Sequence, residues 1–596
     1  MKHLKYLNLY FYRYRYRLIL GILFVILSNI FAIIPPKIIR FAFDLVKDNI
    51  AYYQLYTGFE LQNLYYSGFS NAILLFGACM LILALLRGGF LFLMRQTIIV
   101  MSRLIEYDLR NDMYAHYQLL SSSFYRRNST GDLMSRITED VNRVRMYLGP
   151  AIMYAANLGI LIIIVVGTML RVNVQLTLYV LLPLPILAVS IYLVNSVIHK
   201  KSEFIQQQLS QLTAIAQESF SGIRVAKAYV QEKTTARYFE KESENYKHKS
   251  LQLAKIQAFF MPLMMLLVGL STIITIYVGG QGVIKGIITS GNIAEFVLYV
   301  NMLIWPVTSV GWVAALVQRA AASQKRINEF LQTPSDIVNP PNPIHLTLQG
   351  NIRFENVGFT YPDTGIRALH GLTFELKQGQ KMAIVGRTGS GKTTLAELLL
   401  RKYDVTDGQI SIDGHDIRRL DLYSLRKQIG YVPQEVFLFS DLVKNNIAFG
   451  KTLANLEQIK QAALQAAVLK DIDQLPNGFD TMVGERGVTL SGGQKQRISL
   501  ARALIKDPRC VLFDDCLSAV DAETEETILQ HLNAYLSDRT AIIITHRIFS
   551  LMNFDKILVL DNGHLAEQGT HEQLIAKQGI YHQLYLAQQL EGKGVT

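Results

Sequence analysis

The stretch AIVGRTGSGKTT, residues 383–394, sets Lys392, Thr393 and Thr394 directly behind a glycine-rich turn. Counted from Gly386 to Thr393 the spacing is G-x-x-x-x-G-K-T, through Arg387, Thr388, Gly389, Ser390 and Gly391. Glycine lets backbone N–H groups curl around phosphate oxygens without side-chain clash, and a helix starting where the loop ends adds a favourable dipole. Lys392 is expected to reach the β- and γ-phosphates and the Thr393 hydroxyl to ligate Mg²⁺. The apolar run before the loop and LAELLLRKY after it supply a strand and a helix, which separates this motif from an ordinary glycine turn.

A second chemical feature is CVLFDDC, residues 510–516. Four apolar residues run into Asp514 and Asp515, as a buried strand delivering two carboxylates to its end would. This strand is expected to lie beside the glycine-loop strand in a parallel sheet. Asp514 would then hold Mg²⁺ directly or through water; a helix N-cap acid is the alternative. Three cysteines, Cys79, Cys510 and Cys516, have neither metal-ligand spacing nor a disulfide framework and read as buried thiols.

These groups must be positioned by a chain that changes character near residue 325. The 596 residues are half apolar, with a formal charge of +12, and the mean hydropathy is positive. A basic excess can signal nucleic acid, but here it fits Lys and Arg retained on the cytoplasmic side of a membrane, and no nucleic-acid partner is expected. Six apolar spans, near 18–45, 71–100, 150–171, 174–199, 257–285 and 293–317, each suffice to cross the hydrocarbon as a helix. The basic N-terminus, with Lys2, Lys5, Arg13, Arg15 and Arg17, places that end in the cytoplasm, and six crossings return the C-terminal half there. No cleavable secretory signal is evident. Residues 1–325 thus form a membrane domain, 326–350 a proline-bearing linker, and 351–596 an α/β domain of short strands, glycine loops and amphipathic helices.

Two internal connections, 101–149 and 200–256, are too long for structureless loops. Their Gly- and Pro-free stretches, rich in Glu, Gln, Lys, Arg and Leu, read as membrane helices continuing far into the cytoplasm. Each pair is expected to join at a short tip, within 121–132 and 218–229.

Motif after motif now resembles the ATP-binding cassette (ABC) family, over nearly the whole chain. LSGGQ at 490–494 matches the family signature and is the most specific of them. The resemblance implies that Ser491, Gly492, Gly493 and Gln494 contact the γ-phosphate held by a facing subunit. It implies that Tyr361 stacks on adenine, that Gln434 touches Mg²⁺ and the attacking water, that Asp521 in SAVD belongs to the loop joining two sites, and that His546 is the switch histidine. Six spans, long internal helices and a C-terminal cassette resemble the exporter branch (type I, or type IV), as does TMVGERG at 481–487. The fold class expected is an all-α six-helix membrane domain fused to an α/β P-loop NTPase, with ATP and Mg²⁺ as cofactors. One chain carries half of such an exporter, so a second half-transporter is required.

In that family the acid after the Mg²⁺ aspartate is usually glutamate; here it is Asp515. One methylene less withdraws the carboxylate by roughly 1.5 Å, and misplacing a catalytic base by an ångström can cost ~10²-fold. The site built on this chain's own glycine loop is expected to bind ATP and cleave it slowly. This resembles the degenerate-site subunit of heterodimeric exporters, in which the intact signature completes the partner's active site. A homodimer with two slow sites is the alternative, and an ATP-gated channel on the same fold and a soluble ATPase acting on DNA or ribosomes are further readings. The spans carry few clear intramembrane charges, which favours an amphipathic, lipid-like or drug-like cargo across the cytoplasmic (inner) membrane. Arg87, Arg95 and Arg319 near span ends read as snorkelling side chains, with cavity groups as the alternative. Trp305 and Pro306 read as packing residues that could instead line the cavity.

Overall fold

The computed structural model describes residues 2–55, 58–59, 61–484, 487, 489–517, 522–546 and 554–593. The chain divides into two compact units. One comprises residues 1–116 and 131–333; the other comprises 117–130 and 334–596.

The first unit is helical. Among the described residues, six helical stretches are long and apolar enough to cross a membrane. They contain α1 (Arg15–Leu55) and α2 (Leu61–Leu119). The tip helix α3 (Ser122–Arg127) belongs to the second unit. Residues 130–172 continue as one stretch ending in α4 (Ile152–Val172). Two wide π-turns interrupt it, and Pro150, which lacks an N–H, sits in the second. Then follow α5 (Val174–Leu181), α6 (Pro183–Ser221), the tip helix α7 (Ile223–Ala228), α8 (Glu232–Ile284) and α9 (Ser290–Leu331). The two expected tips thus fold as one-and-a-half-turn helices, and α9 carries its helix through to Leu331. Asn173 caps α5 by accepting from Leu176 N–H, and Thr289 and Asn292 form a reciprocal capping box at the start of α9.

Charge inside the spans is larger than the sequence suggests. Glu295 on α9 is fully buried and pairs with Arg40 of α1 at 3.2 Å. Its other oxygen accepts from the Tyr299 hydroxyl at 2.9 Å. Pairing is what lets these charges sit among apolar helices, and the pattern of either helix alone does not reveal the partner.

The second unit contains two sheets. A four-stranded antiparallel sheet has the order β2 (Arg367–Leu376), β1 (Ile352–Thr360), β4 (Asp407–Ile412), β5 (His415–Asp416). Phe354 and Phe374 stack at 4.4 Å between paired strands. A six-stranded sheet has the order β10 (His564–Gly569), β9 (Lys556–Asp561), β3 (Lys381–Gly386), β8 (Thr540–Ile544), β7 (Cys510–Asp514), β6 (Ile429–Val432). All its pairs are parallel except β9 with β10. Strands β7 and β8 are buried along their whole length, as befits the centre of a parallel sheet covered on both faces.

This order corrects one expectation. The acid strand β7 does not lie beside the glycine-loop strand β3, because β8 is inserted between them. Both neighbours hydrogen-bond to β8, which lets a third strand end, carrying His546, reach the same edge. Cys510 and Cys516 are buried, with thiol pKa values pushed up to about 12 by burial, whereas Cys79 is half-buried rather than buried.

Candidate nucleotide site

The carboxyl ends of β3, β8 and β7 converge at one edge, the place where open α/β sheets hold ligands. Thr545 N–H donates to Ile384 O at 3.1 Å and Asp515 N–H to Ile544 O at 2.9 Å, so the three strand ends are tied in register. They border a cavity of about 460 Å³. Its lining includes Tyr361, residues 388–394, Gln434, Asp514, Asp515 and His546, which brings most of the sequence-derived residues together. Gly386 and Arg387 line an adjoining cavity, again with His546.

The loop has the shape of a phosphate cradle. Gly386 and Gly391 take φ of +155° and +95°. A Cβ on Gly386 would stand 2.2 Å from Leu560 O, and one on Gly391 would stand 2.6 Å from Leu369 Cδ2. Only glycine fits. The loop leads straight into α10 (Lys392–Leu399). The Lys392 ammonium is buried and turned back on the loop, donating to Gly386 O at 2.9 Å and Arg387 O at 2.8 Å. Burial pulls its pKa below the usual lysine value, against the opposing pull of Asp514 and Asp515.

Asp514 is nearly inaccessible, and its Oδ2 is buried without a donor among the described residues. Burial raises its pKa, while a hydrogen bond from Thr393 opposes the shift. An acid left with an orphaned oxygen beside a threonine hydroxyl is a donor set that suits a hard divalent cation. Asp515 takes a left-handed backbone, φ +47°, which aspartate tolerates better than most residues. Burial lowers the pKa of His546, and nearby Lys392 lowers it further against Asp515, so the imidazole is neutral at pH 7.

The signature residues stand elsewhere. Ser491 caps α11 (Gly492–Leu504) in a capping box with Gln494: Gln494 N–H donates to Ser491 Oγ at 3.3 Å and Ser491 N–H to Gln494 Oε1 at 3.0 Å. Among the described residues, the lining of the Lys392 cavity includes none of Ser491, Gly492, Gly493 and Gln494. Asp521 lies outside the described residues, as do Glu485 and Arg486 of TMVGERG.

Among the lining residues not foreseen, one comes from a tip helix. Arg126, on α3, stands 4.5 Å from the centroid of the Tyr361 ring and pairs with Asp363 at 3.3 Å. Tyr361 is further held by Thr394, whose hydroxyl lies 2.9 Å from its own and which lines the same cavity. Arg126 sits within the tip expected from sequence, but nothing local says where a tip arginine will land.

Comparison with known proteins places these features together. Residues 18–307 match the family model of the ABC transporter transmembrane region, and residues 369–518 match that of the ABC transporter. A probable multidrug resistance ABC transporter ATP-binding/permease protein of Bacillus subtilis (strain 168), YheI, is 37% identical, covering 98% of each chain. The multidrug resistance-like ATP-binding protein MdlA of Escherichia coli (strain K12) is 34% identical over 98% of this chain and 96% of its own. The structure of a bacterial Atm1-family ABC exporter with ATP bound matches with a TM-score of 0.75 and 29% identity, over 96% of this chain and 98% of the other.

Proposed function

The chain belongs to the ABC transporter family, as a membrane domain fused to its ATPase, and from that premise we propose that it is one half of a heterodimeric exporter whose own glycine-loop site is catalytically weak. ATP hydrolysis coupled to transport is the family activity of this domain pair. Its cargo is hydrophobic or amphipathic, of the drug or lipid type, consistent with the multidrug relatives. It sits in the cytoplasmic membrane with the N-terminus and the ATPase unit in the cytoplasm.

The carrying observation is the acid at 515. Lys392 gives up its two loop carbonyls for the β- and γ-phosphates. Thr393, Asp514 and Gln434 would hold Mg²⁺, which when bound would supply positive charge against the transferring phosphoryl group. Tyr361 carries the adenine. His546, neutral, donates to the γ-phosphate, and Asp515 orients the attacking water from about one methylene too far back. ATP therefore binds in this half and turns over slowly.

A second chain is needed on two grounds. The signature helix α11 lies outside this chain's own phosphate cavity, so Ser491 and Gly493, with the loop at Asp521, serve the facing site. The most apolar window of α2 buries nothing within its own chain, whereas the other five spans bury between 22% and 33%, so α2 has surface left for lipid or a partner. Two cassettes closing on ATP shift the membrane helices from an inward- to an outward-facing arrangement, and hydrolysis resets them.

Affinity purification of the tagged chain from native membranes tests this reading. A second half-transporter bearing glutamate at the position of Asp515 is expected at equal amount. Recovery of this chain alone as a dimer would replace the heterodimer with the two-slow-site homodimer.

A further inference from the structure

Of the sequence-derived arginine set, Arg87, Arg95 and Arg319, Arg95 lines a cavity inside the membrane unit. The cavity, about 480 Å³, lies between α2, α4 and α9. That is within the usual range for small-molecule pockets, about 300–1,000 Å³. Its polar groups are few. No acidic side chain pairs with Arg95 among the described residues. Asn157 of α4 faces the same space; its Oδ1 is taken by Asn29 Nδ2 at 2.9 Å, which turns its own NH₂ to remain as donor. The donors here are a guanidinium, an amide NH₂, the Tyr154 hydroxyl and the Trp305 indole N–H, with no carboxylate on the lining.

The rest of the wall is apolar and flat. Tyr154 of α4 packs on Trp305 of α9 at 5.4 Å and on Trp312 at 5.3 Å. Met94 and Met153, both buried, close the side and can repack around ligands of different outline. Arg95 is exposed within the single chain, and it borders this space together with side chains of α4 and α9. An unpaired cation among apolar spans is costly, and the cost is relieved by a counter-ion brought by the ligand.

We propose that this cavity binds a lipophilic anion, its acidic group held by Arg95 and Asn157 and its aromatic or planar body by Tyr154 and Trp305. The assignment rests on the exporter reading for its purpose but not for its test, since binding is measured without transport. Lipophilic acids and acidic amphiphiles are thereby the preferred cargo.

The chain holds only two tryptophans, Trp305 on the cavity wall and Trp312, and both touch Tyr154, so tryptophan fluorescence excited at 295 nm or above reports on the surroundings of Tyr154. The experiment titrates tetraphenylborate and tetraphenylphosphonium, alike in shape and opposite in charge, into the purified full-length protein in detergent without nucleotide. Fluorescence is expected to saturate with the borate at roughly tenfold lower concentration in the native protein than in Arg95→Gln, the effect of losing one cation beside a bound anion in a partly desolvated site. Arg95→Lys should recover part of that difference, while the phosphonium titration should not weaken in either variant. Comparing each ion across variants removes its partitioning into micelles. Equal borate binding in native protein and Arg95→Gln, or no saturable binding of either ion, overturns the proposal. Saturable borate binding that fails to stimulate ATP hydrolysis in the reconstituted assembly would leave the site standing and count against the exporter reading instead.

Discussion

The guanidinium of Arg126 lies 4.5 Å over the ring of Tyr361, and both line the cavity that the phosphate loop borders. Tyr361, proposed to carry the adenine, and the tip following α2 therefore border one cavity. A base stacking on that face has to displace the cation and its pairing with Asp363. Arg126→Ala should tighten ATP binding about fivefold, the value of an exposed cation–π contact, and leave inorganic tripolyphosphate binding no tighter. Titration calorimetry with both ligands checks this; weaker ATP binding in the variant would show that the arginine helps hold the nucleotide.

Asp514 offers its buried Oδ2 with no donor to satisfy it. Asp514→Asn should retain ATP binding measured in chelator and lose the gain seen on adding Mg²⁺. The amide cannot supply the second anionic ligand that a hard cation favours. Parallel binding curves with and without Mg²⁺ are the expected outcome for the variant, and not for the native chain.

His546 carries a pKa held below 6.5 by burial and by Lys392. The unfolded chain takes up this proton as pH falls through about 6.5, before the folded one does. Stability contributed at this site is thus full above the unfolded value and declines as pH drops through the folded one. Between about pH 7.5 and about pH 5 the native protein should lose more thermal stability than His546→Gln, with both assayed without nucleotide. Parallel melting curves would show that the imidazole is not desolvated.

Arg40 and Glu295 join α1 to α9 inside the first unit, and Glu295 is wholly buried. Arg40→Met leaves a buried carboxylate without its cation, at a cost of about 3–5 kcal/mol, whereas Arg40→Met with Glu295→Gln removes both charges and should recover most of that. Denaturation of both variants in detergent measures the difference. An equal loss in the two would assign the effect to packing.

The phosphate loop, the acid strand and the six spans were legible because each is written in local spacing: glycines before a lysine, apolar runs of fixed length. Strand order was not. β8 slips between β3 and β7 because three parallel strands with equally apolar sequences compete for the centre, and CVLF does not say which neighbour it takes. The Arg40–Glu295 pair and the landing of Arg126 on Tyr361 are contacts across 255 and 235 residues, and Arg95 shares a cavity lining with residues of two other helices, all invisible to any periodicity. Asp515 is the reverse case. Its identity was plain in sequence, and the structure adds that its N–H is fixed to Ile544 and its backbone is left-handed.

That fixed backbone makes Asp515→Glu the most direct test of the weak-site account. The measurement is steady-state ATP hydrolysis by the purified native assembly with and without the substitution, with nucleotide affinity determined on the same samples. Lengthening the acid by one methylene should raise turnover severalfold or more, toward the ~10² that an ångström of misplacement can cost, at unchanged ATP affinity. The longer side chain at φ +47° should lower thermal stability slightly while it does so. An unchanged or reduced rate, in an assembly that still forms and still binds ATP, would contradict the account.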